Sequence, residues 1–152
     1  MGYKCEAVDY PVRMTMIVRA RSSVQNLPQV LGAKFGQVAG YLAELGEAPS
    51  GAPFVAYYNM DMNDLDLEIG FPVGKNLAGK DEILAGELPA GKYATCLHIG
   101  AYDQLVPAYQ ALTAWIEANG FQPTGVAYEY YLNDPMETPA QELKTLIEFP
   151  LK

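Results

Sequence analysis

One acidic side chain, Glu129, occupies the middle of an aromatic, β-forming segment at residues 125–134, Gly-Val-Ala-Tyr-Glu-Tyr-Tyr-Leu-Asn-Asp. Tyrosine and valine favour a pleated, half-buried surface, and the glycine before them and the Asn-Asp-Pro after them are typical of turns. Alternation along such a strand places Glu129 on one face with Ala127 and Tyr131. If that face turns inward, desolvation of the carboxylate costs several kcal/mol unless a cation or hydrogen bonds offset it.

The nearby sequence does not supply a positive partner for Glu129, because no lysine or arginine lies between Lys92 and Lys144. A distant basic residue that folds against the carboxylate, or a bound cation, can fill that role. Ring faces of tyrosine attract the same cations, by roughly 0.5–2 kcal/mol for each ring. The segment therefore predicts a charged, aromatic binding site, and a solvated glutamate at a rim is the alternative.

Other groups that could do chemistry are sparse. His98 is the only histidine, and no nucleophile lies near it in the sequence, so we expect a structural role. Cys5 and Cys96 belong to no close-spaced motif and are expected to be reduced and structural, rather than a disulfide or a metal pair. The acidic run at 61–68 lacks the glycine and the final glutamate of a calcium loop, so we interpret it as a solvated hairpin turn. No metal or cofactor site is predicted.

Composition narrows the class of protein. The 152 residues fit a single domain, 1–152, and half of them are apolar, so the chain can bury a sizeable core. The formal net charge of -8 repels phosphate backbones and anionic membrane surfaces, so we expect no direct nucleic-acid partner and no membrane partner. The N-terminus lacks the apolar core of a signal peptide and no apolar run approaches a membrane span, so a cytoplasmic location is expected.

The first half of the chain predicts the order strand, helix, strand, strand. A β-branched run forms the first strand at 12–20, and helical spacing of apolar residues follows from the capping residue Asn26 to Gly46. Two further β-like runs at 52–58 and 65–73 are joined by an acidic turn, which predicts a hairpin.

The second half repeats this order. Extended structure is predicted over 86–99 with a break near Pro89 and Gly91, and Asp103 is predicted to cap a helix over 105–119. Strands at 124–132 and 143–151 complete the series. The two pseudo-repeats cover about 11–74 and 86–151.

The halves also match residue by residue. Phe-Pro-Val at 71–73 corresponds to Phe-Pro-Leu at 149–151, and residues 51–59 align without gaps with 125–133. This alignment pairs Tyr57 with Tyr131 and leaves Glu129 opposite Val55. Such self-similarity indicates duplication.

Two copies of this unit predict an α+β fold, a duplicated β-α-β-β module with two helices on a mostly antiparallel sheet and a central cleft where the copies meet. Tyr57 and Tyr131 are the leading candidates for aromatic walls, with packing of sheet faces as the alternative. Trp115 lies on the apolar stripe of the second helix, where core packing is the stronger interpretation. Weaker candidates on the same logic are Tyr93, Tyr102 and Phe71.

At this point the sequence resembles the GyrI-like small-molecule-binding domains, which also form the effector-binding half of AraC-type and MerR-type multidrug-responsive regulators. The matching motifs, which run in the family's order, are Leu-Pro-Ala-Gly-Lys-Tyr-Ala at 88–94, His-Ile-Gly-Ala-Tyr at 98–102, the helix end at 115–120, and Tyr-Glu-Tyr-Tyr-Leu-Asn-Asp at 128–134. The resemblance implies a duplicated β-α-β-β fold and a buried glutamate, at the position of Glu129, that meets lipophilic cationic drugs amid aromatic side chains. No DNA-binding domain precedes these motifs in the chain, so it resembles a stand-alone member.

Three functions stay open at this stage. The first is a stand-alone binding protein for lipophilic, cationic or aromatic small molecules. The second is a hydrolase of electrophilic, cyclopropane-type toxins, with Glu129 as general base and a tyrosine as acid. The third is a protein-interaction module similar to the family's gyrase inhibitor, with a protein partner that the sequence does not identify.

Overall fold

The computed structural model describes residues 3–152 and divides into two compact units. One consists of residues 11–90, and the other consists of the residues up to Tyr10 together with 91–152; we call them the 11–90 unit and the 91–152 unit. In the described chain each unit holds one α-helix and four strands that pair antiparallel. The predicted α+β class and the duplicated order of elements are confirmed.

The elements follow one another along the chain. The strands are β1 Cys5–Tyr10, β2 Arg13–Ser22, β3 Phe54–Tyr57, β4 Leu65–Pro72, β5 Ile83–Leu88, β6 Gly91–Ile99, β7 Ala127–Tyr131 and β8 Lys144–Pro150. The helices are α1 Leu27–Glu44 and α2 Val106–Ala118, with short 3-10 turns at Tyr102–Gln104 and Ala140–Glu142. Neither α-helix of residues 3–152 combines the length and the hydropathy that a membrane span requires.

The 11–90 unit arranges its strands in the order β3-β4-β2-β5, with α1 packed on β2 and β4. The buried side chains of α1, Val38 and Leu42, join Met16 of β2 in one apolar cluster, because helical spacing brings them to the same side. The outer side of α1 carries an exposed row of glycines at four-residue spacing, at positions 32, 36 and 40. A methyl group added to any of them would meet no other atom within 4 Å.

The 91–152 unit repeats this arrangement with the order β7-β8-β6-β1. Its helix α2 buries Ala108, Leu112 and Ile116. In the 11–90 unit β2 lies between β4 and an additional strand, β5. In the 91–152 unit β6 lies between β8 and an additional strand, β1. These additional strands are exchanged between the repeats: β1 immediately precedes β2 but pairs with β6, and β5 immediately precedes β6 but pairs with β2.

Several expectations about individual elements are corrected. Strand β1 was not predicted, because the first strand expected from the sequence begins at residue 12. The side chains of Asn26 and Asp103 make no capping hydrogen bond; Asp103 belongs to the 3-10 turn, and Leu105 occupies the capping position of α2. The acidic run at 61–68 is only partly a turn, since β4 begins at Leu65.

Candidate functional site

Glu129 lies in β7 with only 6% of its surface exposed. It stands directly opposite Ile147 of β8, so the two side chains share a face of the strands. The hydroxyl of Tyr131 donates a hydrogen bond to Oε1 at 2.8 Å, and the hydroxyl of Tyr109, from α2, donates to Oε2. Both oxygens of this buried carboxylate are therefore held by phenol groups, which supports its charged form.

Aromatic rings extend from the two tyrosines. The ring of Tyr102 meets that of Tyr131 edge-on at 5.4 Å between centroids, and the ring of Tyr109 lies 5.6 Å from that of Phe149. Such pairs fix ring orientation as well as burying apolar area. Glu129, Tyr131 and Tyr102, three of the site residues expected from the sequence, are thus brought together.

The electrostatics of this group are negative. Burial raises the pKa of the Tyr102 phenol above its ordinary value, and the carboxylates of Asp134 and Glu129 raise it further. A place where nearby anions oppose the formation of another anion attracts cations.

Two polar groups of the site were not found by sequence reasoning. Tyr109 falls next to the apolar stripe of α2, and only the helix spacing, four residues after Leu105, could have drawn attention to it. Thr145 stands directly opposite Tyr131 and is fully buried, and its hydroxyl has no hydrogen-bond partner in the described part of the chain. An unpaired buried hydroxyl is costly, so it is a polar group that a ligand can satisfy.

The remaining sequence-predicted residues belong to α2, β6 and the 11–90 unit. Trp115 is half-buried on α2 and packs against Phe121 at 5.9 Å. Tyr93 is on the opposite face of the 91–152 strands from Glu129, as the register of β6 with β8 shows. Tyr57 and Phe71 belong to the 11–90 unit, where Tyr57 is buried in β3 and Phe71 packs on the α1 cluster.

The histidine and the two cysteines lie in strands β1 and β6. His98 is buried, with Nδ1 3.0 Å from the Tyr3 hydroxyl and Nε2 3.2 Å from the Ala101 carbonyl oxygen. Cys5 and Cys96 are free thiols directly opposite each other in the β1–β6 ladder. Burial, and then the neighbouring Cys5, raise the pKa of Cys96 to about 12.

The sequence was compared with models of known protein families. The family model of the GyrI-like small molecule binding domain matches residues 8–152, nearly the whole chain. The chain belongs to the GyrI-like family. The resemblance seen in the sequence motifs is thereby confirmed, and this GyrI-like domain is a small-molecule-binding domain. A search of curated protein sequences returned no match.

Solved structures agree on the fold. The C-terminal domain of EcmrR has a TM-score of 0.82 at 21% identity, with 100% of this chain and 99% of that domain covered; the chain spans 57% of the EcmrR chain solved in complex with DNA. SAV2435 bound to tetraphenylphosphonium has a TM-score of 0.69 at 15% identity, covering 100% and 94%. A hydrolase from Listeria innocua has a TM-score of 0.67 at 15% identity, covering 99% and 93%.

Proposed function

We propose that this GyrI-like domain binds lipophilic organic cations, with Glu129 supplying the charge and Tyr131 and Tyr102 forming part of the aromatic wall. The observation that carries the proposal is the buried carboxylate of Glu129 held by two tyrosine hydroxyls. Because this carboxylate has already left bulk water, a cation that reaches it loses little of the attraction to solvent screening. Tyr109 reaches Glu129 from the helix, so its phenol is the group that a ligand displaces.

Two further observations support this ligand class. The formal charge of -8 draws cations toward the domain. SAV2435, which shares the fold, was solved with tetraphenylphosphonium, an aromatic cation. One charge and a set of rings restrain a ligand less than several directed hydrogen bonds do, so broad specificity follows.

The test is a fluorescence titration that uses Trp115, the only tryptophan, as the reporter. Tetraphenylphosphonium and its anionic isostere tetraphenylborate would be titrated into the native chain, Glu129→Gln and the control Glu117→Gln, which removes an exposed charge from α2. We expect saturable binding of the cation that weakens about 10- to 150-fold in Glu129→Gln, the usual range for a hydrogen-bonded charge, and that stays unchanged in the control. Equal cation affinity in Glu129→Gln and the native chain would rule out this role for Glu129.

A second candidate function is hydrolysis of an electrophilic, cyclopropane-bearing compound, and the phenol-carboxylate pair favours it. In this reaction Glu129 removes a proton from water, the hydroxide oxygen bonds to the electrophilic carbon, and the strained carbon-carbon bond breaks. The Tyr131 phenol protonates the departing carbon, and the proton held by Glu129 returns to the phenolate. Hydrolase neighbours of the same fold support this class.

Turnover separates the two functions. If the native chain consumes such a substrate, and Glu129→Gln still binds the substrate but no longer consumes it, the domain is an enzyme. If the native chain binds the compound stoichiometrically and releases it unchanged, hydrolysis is excluded for that compound.

A further inference from the structure

The 91–152 unit buries a second carboxylate, on the face of its strands opposite Glu129. Glu148 lies in the middle of β8 with 0% of its surface exposed. Its direct neighbours across the two ladders are Tyr128 on β7 and Thr95 on β6. The Tyr10 hydroxyl donates a hydrogen bond to Oε2 of Glu148 at 2.5 Å.

A connected series of tyrosine rings includes the two tyrosines next to this carboxylate, Tyr10 and Tyr128. Tyr10 meets Tyr93 edge-on at 5.3 Å, Tyr93 lies 6.1 Å from Tyr128, and Tyr128 stacks with Tyr130 at 6.5 Å between centroids. The strand register places Tyr93, Tyr128 and Tyr130 on the same face as Glu148. Electron-rich ring faces and a carboxylate are the two features that attract an organic cation out of water.

The duplication shows that the fold does not require a charge at this position. The Phe-Pro match between 71–72 and 149–150 makes Gly70 the counterpart of Glu148. Gly70 has equivalent neighbours, Phe54 and Ile17, in the 11–90 unit. A methyl group on Gly70 would lie 2.0 Å from the Met16 carbonyl oxygen, so that unit has no room for a side chain there.

The first repeat does without a carboxylate at this position, and taking a carboxylate out of water costs free energy, so its presence in the second repeat is a feature to explain. A second feature points to a ligand. The Thr95 hydroxyl, on the same face, is 6% exposed as a residue and has no hydrogen-bond partner among residues 3–152. It is a polar group that a bound molecule can satisfy.

We propose that Glu148, with the rings of Tyr10, Tyr93 and Tyr128, forms a cation-binding site separate from Glu129. Its ligands are organic ammonium or phosphonium ions with apolar substituents, and Thr95 adds one hydrogen bond for ligands that carry a polar arm. Tyr10 is the half-buried member of the group and lies at the end of β1, the outermost strand in the ladder order of its unit, so the site is entered past its ring. This inference rests on the proposed function, because it assumes the same class of ligand.

Isothermal titration calorimetry with tetraphenylphosphonium tests the proposal on the full chain, with tetraphenylborate as the isostere of opposite charge. The variants are Glu148→Gln, Glu129→Gln and the exposed control Glu142→Gln, each checked for folding by its melting curve. Tyr10→Leu is added because it removes a ring of the site, together with one hydrogen bond to Glu148, while the carboxylate itself is kept. We expect Glu148→Gln to lower the cation affinity about 10- to 100-fold and Tyr10→Leu about 3-fold or more, with no change in the control.

The outcomes distinguish the two proposals. If Glu148→Gln and Tyr10→Leu bind the cation within twofold of the native chain while Glu129→Gln loses affinity, this inference is wrong and the proposed function stands. If Glu148→Gln loses affinity and Glu129→Gln does not, the charge belongs to Glu148. If the native chain binds no cation, both proposals fail. Should Glu148→Gln not fold, Tyr10→Leu alone decides: unchanged cation affinity overturns the inference.

Discussion

Replacing Tyr109 by phenylalanine isolates the energetic role of the hydrogen bond between α2 and Glu129. The ring stays in place against Phe149, 5.6 Å away, so the change removes one hydroxyl without opening a cavity in the packing. A hydrogen bond to a charged group contributes about 1.5–3 kcal/mol, and Glu129 is too buried for water to replace the lost donor freely. For a domain of this size we expect the melting temperature to fall by about 3–12 °C.

Thermal unfolding followed by circular dichroism measures this change, with Tyr131→Phe as a parallel variant. Because both phenols hold the same carboxylate, the losses in the double variant should differ from the sum of the single losses. Tyr41→Phe is the matched control, since the Tyr41 hydroxyl donates to the exposed carbonyl of Ala78, and its effect should stay within about 1 kcal/mol. If Tyr109→Phe melts within 1 °C of the native chain, the phenol does not stabilise the buried charge and the reasoning is refuted.

Three further predictions concern stability and ionisation. Gly70→Ala should destabilise the chain by about 1–3 kcal/mol or more, because the added methyl group overlaps the Met16 carbonyl oxygen, whereas Gly36→Ala on the open side of α1 should stabilise it by about 0.5–1 kcal/mol; urea unfolding measures both. The absorbance titrations of the native chain and Tyr102→Phe should differ by one tyrosine that ionises above the ordinary tyrosine pKa. Because its pKa is raised, the stability that Tyr102 gives is present below its unfolded pKa and is lost as pH rises through the folded value. At pH 8, iodoacetamide should modify Cys96 only after unfolding, because with a pKa of about 12 only about one thiol in ten thousand is ionised; labelling of Cys96 at the rate of Cys5 would contradict this.

The repeated order of elements could be predicted from the sequence because each repeat carries strong local signals. Helical spacing from Leu27 and turn residues near Pro89 and Gly91 mark element ends that the structure reproduces closely. Strand β1 carried no such signal. Its residues, Cys-Glu-Ala-Val-Asp-Tyr, alternate only weakly in hydropathy, and the strand exists because β6 offers a partner more than eighty positions away in the sequence.

Some parts of the candidate site likewise follow from the local sequence, and others depend on residues that are distant in the sequence. Glu129 and Tyr131 stand two residues apart on a strand, so their shared face follows from local geometry. Tyr109 meets Glu129 only through the packing of α2. Helical spacing indicates which face of α2 carries Tyr109, but it does not indicate which carboxylate the phenol will reach. The buried state of Glu148 likewise depends on which side of β8 is covered, which a strand sequence of mixed polarity does not specify.

The exchange of β1 and β5 between the repeats determines the order in which the strands can pair while the chain is being synthesised. All the strands that flank β2 are synthesised by Leu88, so the 11–90 unit can close while the rest of the chain is still emerging. Strand β1 leaves the ribosome before β2, but its partner β6 does not begin until Gly91, and closing so long a loop carries an entropic cost. Strand β1, although it is made before the 11–90 unit, is therefore among the last of these eight strands to gain its backbone hydrogen bonds. Tyr10 at its end then completes the surroundings of Glu148, so cation binding at that carboxylate would report that β1 has paired with β6 beside β8.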